Sequence, residues 1–203
     1  MRSLFPGLWR AINCYGINNK GWIVGEGERS LGNNQYRWSG WLLKPVETVV
    51  APDKATIVYG QVSSGTVADL AVKDGASLRV CRFIVPNQSV APITLRIEAT
   101  LPFTPMNLWL ETVNRATSAG AFTVSLNLMD WTTGLYDPAS KATASLTTAW
   151  SSLECVAKRD ITRYVRPSDR RVWALLRVRP TGPVATNAWC SEHDLAIFHS
   201  VPY

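Results

Sequence analysis

The sequence predicts an all-β protein, a β-sandwich of residues 46–203 preceded by an extended, aromatic-rich arm of residues 1–45. From residue 45 onward, short apolar–polar alternations recur at spacings of roughly a dozen residues, with turn-forming residues between them. No segment shows a convincing 3.6-residue period, which argues against long helices. Ser, Thr, Val and Ala are abundant, and the 46% hydrophobic and 18% charged content is that of a folded chain.

The first 45 residues differ from the rest in composition. They hold seven of the 13 glycines and four of the nine tryptophans. Glycine breaks helices and makes turns, so only short strands are expected here, at 21–24 and 36–43. An extended, tryptophan-rich segment needs a surface to lie on, either its own domain or a neighbouring subunit.

The sandwich strands are predicted from alternation and from the turns between them. We expect strands at 47–50, 55–62, 77–84, 92–101, 107–114, 121–131, 143–148, 152–157, 171–179 and 194–200, with one short helical piece at 64–72. The clearest inward rows are Phe122, Val124, Leu126 and Leu128, and Val172, Ala174, Leu176 and Val178.

The opposite face of strand 171–179 carries Arg171, Trp173, Leu175, Arg177 and Arg179. Eight of the 21 basic residues lie between Lys158 and Arg179, and the net charge is +6. This basic segment is interpreted as a solvated strand face with a charged loop; the alternative is an anionic partner, whether nucleic acid, acidic polysaccharide or a neighbouring subunit.

Cysteine spacing and hydropathy limit the class of protein. Cys14, Cys81, Cys155 and Cys190 contain no C-x-x-C element, which argues against zinc. They form either one or two disulfides or four buried thiols. No apolar run reaches the roughly 20 residues of a membrane span, and the first residues lack a signal-peptide pattern, so the export route stays open.

Several segments together carry a family pattern: 59–65 (YGQVSSG), 91–99 (APITLRIEA), 126–131 (LNLMDW), 161–165 (ITRYV) and 179–183 (RPTGP). With them, residues 56–199 resemble the C-terminal galactose-binding-like domain of secreted planctomycete- and armatimonad-type bacterial proteins. The resemblance implies a jelly-roll-type β-sandwich, an extracellular or cell-surface setting and no catalytic residues. The arm lies outside it.

No motif indicates catalysis, and no cofactor or metal is expected. His193 and His199 are predicted to share one strand face nearly 20 Å apart, too far for one metal. Glu98 and Glu111 are the carboxylates to inspect for a glycosidase pair. A calcium ion is an open alternative, with Asp69, Asp74 and Asp194 at strand ends.

Two binding hypotheses follow for this predicted non-enzyme. The first is an extracellular structural subunit that self-assembles into a homo-oligomer, such as a filament, tube or surface layer. In this assembly the arm of one subunit would insert aromatic side chains into its neighbour, namely Trp22, Tyr36, Trp38 and Trp41. The alternative is a polysaccharide-binding module that contacts glycan through Trp109, Trp131 and Tyr136, unless these tryptophans are core residues. A virus-like coat protein is disfavoured, because the first twenty residues hold only three basic side chains; no nucleic-acid partner and no membrane span are expected.

Overall fold

The computed structural model describes residues 9–18, 22–33, 35–43, 46–83, 91–158, 160–182 and 188–202. The chain divides into two compact units, Met1–Val46 and Glu47–Tyr203. The segments 84–90 and 183–187 lie outside the described residues. The sequence predicts turns at Val85-Pro86-Asn87 and Pro180–Pro183; all of the first and Pro183 of the second fall in these segments.

The first unit is a three-stranded antiparallel sheet in the order β1-β2-β3. Its strands are β1 (Trp9–Ile17), β2 (Ile23–Gly32) and β3 (Gln35–Leu43). The turn between β2 and β3 uses Gly32 and Asn33, both with positive φ, the backbone that glycine and asparagine adopt most easily. The segment predicted as one extended arm is therefore folded back on itself twice, and β1 was not foreseen.

The second unit contains twelve strands and three short 3₁₀ helices among the described residues. The strands are β4 (Thr48–Val50), β5 (Lys54–Tyr59), β6 (Gln61–Ser64), β7 (Leu78–Phe83), β8 (Ile93–Thr100), β9 (Asn107–Ala116), β10 (Phe122–Asp130), β11 (Leu135–Tyr136), β12 (Ala142–Leu146), β13 (Ser151–Val156), β14 (Arg171–Pro180) and β15 (Ala188–Val201). The 3₁₀ helices are Val67–Leu70, Pro138–Ser140 and Ile161–Tyr164.

These strands form two antiparallel sheets with jelly-roll connectivity. Sheet I has the order β11-β10-β14-β8-β5, with β12 paired to β10; sheet II has the order β13-β9-β15-β7-β6, with β4 paired to β15. Strands β7, β8, β9 and β10 alternate between the sheets, β12 stays beside β10, and β13, β14 and β15 alternate again. This path is the jelly roll, which confirms the predicted all-β fold class.

The core lies between the two sheets, and the predicted inward rows are confirmed. Val172, Ala174, Leu176 and Val178 of β14 are at most 1% exposed, and the inward residues of β10 are at most 3% exposed. Because these strands are neighbours in sheet I, Leu126 lies directly opposite Leu176. Sheet II contributes Leu108, Leu110 and Phe198 to the same core.

Two element boundaries depart from the predictions for identifiable reasons. The single strand expected at 55–62 is divided at Gly60, whose φ of +121° takes the chain from sheet I to sheet II. A Cβ there would lie 2.8 Å from a Val80 methyl carbon. The helix expected at 64–72 is only one 3₁₀ turn, capped by Thr66 and Asp69.

Cys81 and Cys190 form a disulfide between directly opposed residues of β7 and β15. Cys14 is an exposed thiol. Cys155 is a buried thiol that donates a hydrogen bond to the Ser140 carbonyl oxygen at 2.9 Å. Burial raises the pKa of Cys155 to about 12, so this thiol is unreactive near neutral pH.

The two histidines of β15 do not share a face, which corrects the prediction. A bulge between His193 and Leu195 places one extra residue, Asp194, opposite β9 and shifts the alternation. His193 therefore points into the sandwich, whereas His199 lies on the outer face of sheet II.

His193 belongs to a buried hydrogen-bond chain. Its Nδ1 lies 2.7 Å from the Asn114 Oδ1, and its Nε2 lies 2.9 Å from the Ser191 hydroxyl. The Asn114 amide in turn donates to Thr112, and the Thr112 hydroxyl donates to the Leu153 carbonyl oxygen. A neutral imidazole that donates from Nδ1 and accepts at Nε2 satisfies every one of these groups.

Within the part of the chain that the structure describes, no helix is both long enough and apolar enough to cross a bilayer.

Candidate functional site

The outer face of sheet I carries an open trough of about 410 Å³ over β12, β10 and β14. Its lining is polar and basic apart from Pro138 and Leu175. The lining residues are Thr123, Ser125, Asn127, Tyr136, Pro138, Lys141, Thr143, Leu175, Arg177 and Arg179.

The floor of the trough is built from alternate residues of β10. Because Phe122, Val124, Leu126 and Leu128 point inward, Thr123, Ser125 and Asn127 must point outward. Strand pairing then forms transverse rows across the face. Ser125 lies opposite Thr143 on one side and Arg177 on the other, and Thr123 lies opposite Arg179.

One wall of the trough is Tyr136 together with the short 3₁₀ helix that follows it. The Asp137 carboxylate caps this helix by accepting the Ala139 N–H at 2.9 Å. Asn127 donates its amide to the Asp137 carbonyl oxygen at 3.1 Å, and the Tyr164 hydroxyl donates to the Asp137 carboxylate. These bonds hold the wall against the floor, so the trough is largely preformed.

Several polar side chains of the trough have no partner among the residues that the structure describes. The side chains of Thr123, Ser125, Tyr136, Lys141, Thr143, Arg177 and Arg179 make no hydrogen bond or ion pair with another described residue. The Asn127 amide is oriented by its bond to Asp137, which leaves its oxygen as an acceptor. Burial raises the pKa of Tyr136, so its hydroxyl stays protonated near neutral pH and can donate.

A second cluster lies further along the same face, next to Tyr136. This tryptophan cluster consists of Trp131, Trp173, Arg96 and Arg166. The two indole rings are 4.6 Å apart and tilted by 57°. The Arg96 guanidinium lies 4.2 Å from the Trp173 ring centre and that of Arg166 lies 5.0 Å from the Trp131 ring centre. Guanidinium groups therefore already cover ring faces in this cluster.

Carboxylates neutralise the arginines of the tryptophan cluster. Glu98, which is 4% exposed, pairs with Arg96 at 2.9 Å, and Asp169 pairs with Arg166. Hydrogen bonds from Arg166 hold the pKa of Asp169 down at about 2. This ion-pair network gives the cluster a structural role.

The Asp130 carboxylate, at the end of β10, is also held by an arginine. Burial disfavours its charged form, but hydrogen bonds from Thr132 and Arg163 outweigh that cost and hold its pKa at about 2. The chain leaving β10 is thereby fastened to the 3₁₀ helix Ile161–Tyr164.

The three predicted glycan contacts occupy three different environments. Tyr136 lines the trough, and Trp131 is in the tryptophan cluster. Trp109 is 2% exposed in sheet II, where it stacks on His199 with ring centres 4.9 Å apart. Burial removes Trp109 from the surface, so that residue is corrected from a glycan contact to a packing residue.

The predicted arm residues also separate. Tyr36 and Trp38 lie on one face of β3, 40% and 53% exposed. Trp41 is on the opposite face and covers Gly25, where a Cβ would come within 2.3 Å of the indole. Trp22 lies in the turn between β1 and β2, where its backbone N–H donates to the Asn18 side-chain oxygen.

The carboxylates singled out for chemistry do not converge. Glu98 is on the outer face of sheet I and Glu111 on the outer face of sheet II, so they cannot act on one bond. Asp69, Asp74 and Asp194 each accept a backbone N–H. Among the described residues, no three His, Cys, Asp or Glu side chains gather in a group able to hold a metal.

Comparison by sequence finds no matching family model and no matching curated protein. Among solved structures, the carbohydrate-binding module TmCBM61, in complex with β-1,4-galactotriose, is 13% identical over 76% of this chain and 88% of its own, with a TM-score of 0.35. The family 30 carbohydrate-binding module of a Clostridium thermocellum cellulosomal cellulase is 14% identical over 75% and 96%, with a TM-score of 0.37. A structure of infectious bursal disease virus, Gt strain, is 11% identical over 90% of this chain and 43% of its own, with a TM-score of 0.42. At these values the likeness supports no conclusion about what this chain binds.

Proposed function

We propose that this protein is a non-catalytic carbohydrate-binding domain that holds a saccharide in the trough of sheet I. The observation that carries the proposal is a largely preformed groove whose hydroxyl and guanidinium groups have no partner among the described residues, beside the aromatic ring of Tyr136. A saccharide offers many hydroxyl groups and apolar C–H faces. Such a ligand matches an aromatic ring next to several hydrogen-bond groups.

Binding without catalysis agrees with the lining. Hydrolysis of a glycosidic bond usually needs two carboxyl groups on either side of it. The described lining of the trough contains no carboxylate, histidine or cysteine. The residue types present bind and orient a sugar but do not supply that chemistry.

An extracellular or cell-surface setting is part of the proposal. The Cys81–Cys190 disulfide supports it, because disulfides persist mainly in oxidising compartments. A polysaccharide partner is most accessible in the same setting.

A glycan-binding screen with the full chain tests the proposal. Thr143 is exposed on the outer face of β12, so Thr143→Trp should fill the trough without disturbing the core. We expect the unaltered protein to bind at least one class of glycan and the variant to lose that binding at unchanged melting temperature. Thr100→Trp, on the exposed end of β8, is the matched control and should bind normally. An absence of any glycan ligand would refute the proposal, and so would normal binding by Thr143→Trp.

Self-assembly through the arm is the second candidate function. One observation favours it: Tyr36, Trp38 and Leu42 form an exposed apolar row on β3, which is an edge strand of its sheet. Exposed edge strands with apolar rows pair readily with other chains. The proposed product is a homo-oligomer, extending to a filament, tube or surface layer.

Light scattering of the full chain tests self-assembly. Trp38→Glu should lower the molecular mass of the particle, whereas Leu135→Glu, at an exposed apolar position of the second unit, should not. A particle of the same mass in all three proteins would exclude assembly through this row.

A further inference from the structure

The charge of the trough defines the class of saccharide more narrowly. Its lining contains three basic residues, Lys141, Arg177 and Arg179, and no acidic one. All three are exposed, and none forms an ion pair with a carboxylate within the described ranges. The groove therefore presents positive charge that no carboxylate of the described residues neutralises.

The tryptophan cluster shows that the lack of neutralising carboxylates is a property of the trough and not of the whole outer face of sheet I. In and around this cluster, Arg96 pairs with Glu98, Arg166 pairs with Asp169, and Arg171 lies 3.6 Å from Asp169. Arg171, Arg177 and Arg179 share one face of one strand. Of these three, only Arg171 has carboxylates of the described residues within 4.0 Å, those of Glu98 and Asp169.

The basic groups stand on both sides of the polar floor. In sheet I, β10 lies between β12 and β14. Lys141 directly precedes β12, whereas Arg177 and Arg179 are on β14, two residues or about 7 Å apart along the strand. Thr123 and Ser125 of β10 lie between these two walls. An anion on the floor would have positive charge on either side and hydroxyl donors beneath it.

We propose that the ligand of the trough is an acidic saccharide, carboxylated or sulfated, held between Lys141 and the pair Arg177 and Arg179. This inference rests on the proposed carbohydrate-binding function. A guanidinium group binds a carboxylate or sulfate through two parallel N–H donors, which gives direction as well as attraction. Nucleic acid fits the same charge less well, because binding of single strands relies on rows of aromatic side chains and the trough contributes only Tyr136.

The experiment measures affinity of the full chain by calorimetry for matched ligands. Polygalacturonate supplies carboxylates, and its fully methyl-esterified form supplies the same backbone without charge. Heparin supplies sulfates, and a single-stranded oligonucleotide supplies phosphates. We expect binding to polygalacturonate or heparin that weakens as salt increases, because exposed charges are screened. If polygalacturonate is the ligand, its methyl-esterified form should bind about tenfold or more weakly than the acidic form.

Charge-matched variants locate the binding. Arg177→Gln with Arg179→Gln should weaken acidic-glycan binding about tenfold or more, since both lost groups are charged donors. Lys54→Gln with Lys73→Gln removes the same charge from exposed positions outside the trough and should have little effect. Equal effects of the two double variants would overturn the assignment to the trough.

The outcomes separate this inference from the function on which it rests. If the protein binds only neutral glycans, and Thr143→Trp loses that binding, the inference of an acidic ligand is wrong but the carbohydrate-binding function stands. Binding of no glycan at all would overturn both. Tighter binding of the oligonucleotide than of any glycan would identify nucleic acid as the partner and overturn both as well.

Discussion

At the scale of single residues, neighbouring positions on β14 have opposite roles. Leu176 is 1% exposed in the core, next to Leu95 and Leu126, whereas Arg177 faces the trough. Leu176→Asp should therefore unfold the domain, because a carboxylate there has no partner and costs about 4 kcal/mol or more. Arg177→Ala should leave the melting temperature almost unchanged. Thermal unfolding of the two variants is compared by circular dichroism. Similar melting temperatures would contradict the assignment of Leu176 to the core and of Arg177 to the outer face.

His193 makes stability depend on pH. Complete burial lowers the pKa of His193 to about 4, below the ordinary 6.5. As the pH falls, His193 is therefore protonated in the unfolded chain before it is protonated in the folded protein. The stability contributed by the neutral imidazole is complete above about pH 6.5 and lost by about pH 4. The loss should reach about 3 kcal/mol.

Urea unfolding between pH 7 and pH 4 measures this loss. His193→Gln removes the titrating group and should be less stable at pH 7, yet its stability should fall less over the same range. Parallel curves for the two proteins would show that His193 does not titrate differently on folding.

At the scale of elements, the disulfide joins β7 to β15 across 109 residues of sequence. Closing so long a loop restricts the unfolded chain, which is worth about 4 to 5 kcal/mol in the chain-entropy treatment. The double variant Cys81→Ala, Cys190→Ala should therefore unfold at a much lower urea concentration. Addition of a reductant should move the unaltered protein toward the same midpoint and leave the variant where it is.

The strands were predictable to the extent that local alternation determines them. The inward rows of β10 and β14 follow from a period of two, which the sequence displays directly. The N-terminal half of β15 was missed, because Trp189, Cys190 and Ser191 are buried together and break the alternation. The crossing at Gly60 was missed because an isolated glycine within an apolar run does not reveal which sheet follows.

The trough could not be predicted, because it depends on which strands are neighbours. Arg177 was assigned to an outer face from sequence, and Thr123 and Ser125 alternate with the predicted inward row of β10, but Arg177 lies more than 50 residues from both and on a separate strand. Only the placement of β10 between β12 and β14 brings them together. The same lack of pairing information left Trp109 and Trp131 indistinguishable, although one is buried and the other is in a surface cluster.

At the scale of the whole molecule, residues 47–203 contain a complete sandwich. The core, the disulfide and every residue of the trough lie within this unit. The fragment 47–203 should therefore fold alone, with a cooperative thermal transition and the ligand affinity of the full chain. A fragment without cooperative unfolding would show that the first unit is needed to complete the fold.

The bulge in β15 has a consequence for how the chain tolerates changes in length. Asp194 is the extra residue opposite β9, so its deletion would leave each remaining side chain of β15 facing as before. Deletion of Ala196 would instead turn one part of the strand over relative to β9. The Asp194 carboxylate accepts the N–H of Gly75 at 3.0 Å, and this contact fastens a distant turn. A single-residue deletion at 194 is thus expected to loosen that turn, whereas one at 196 is expected to abolish folding.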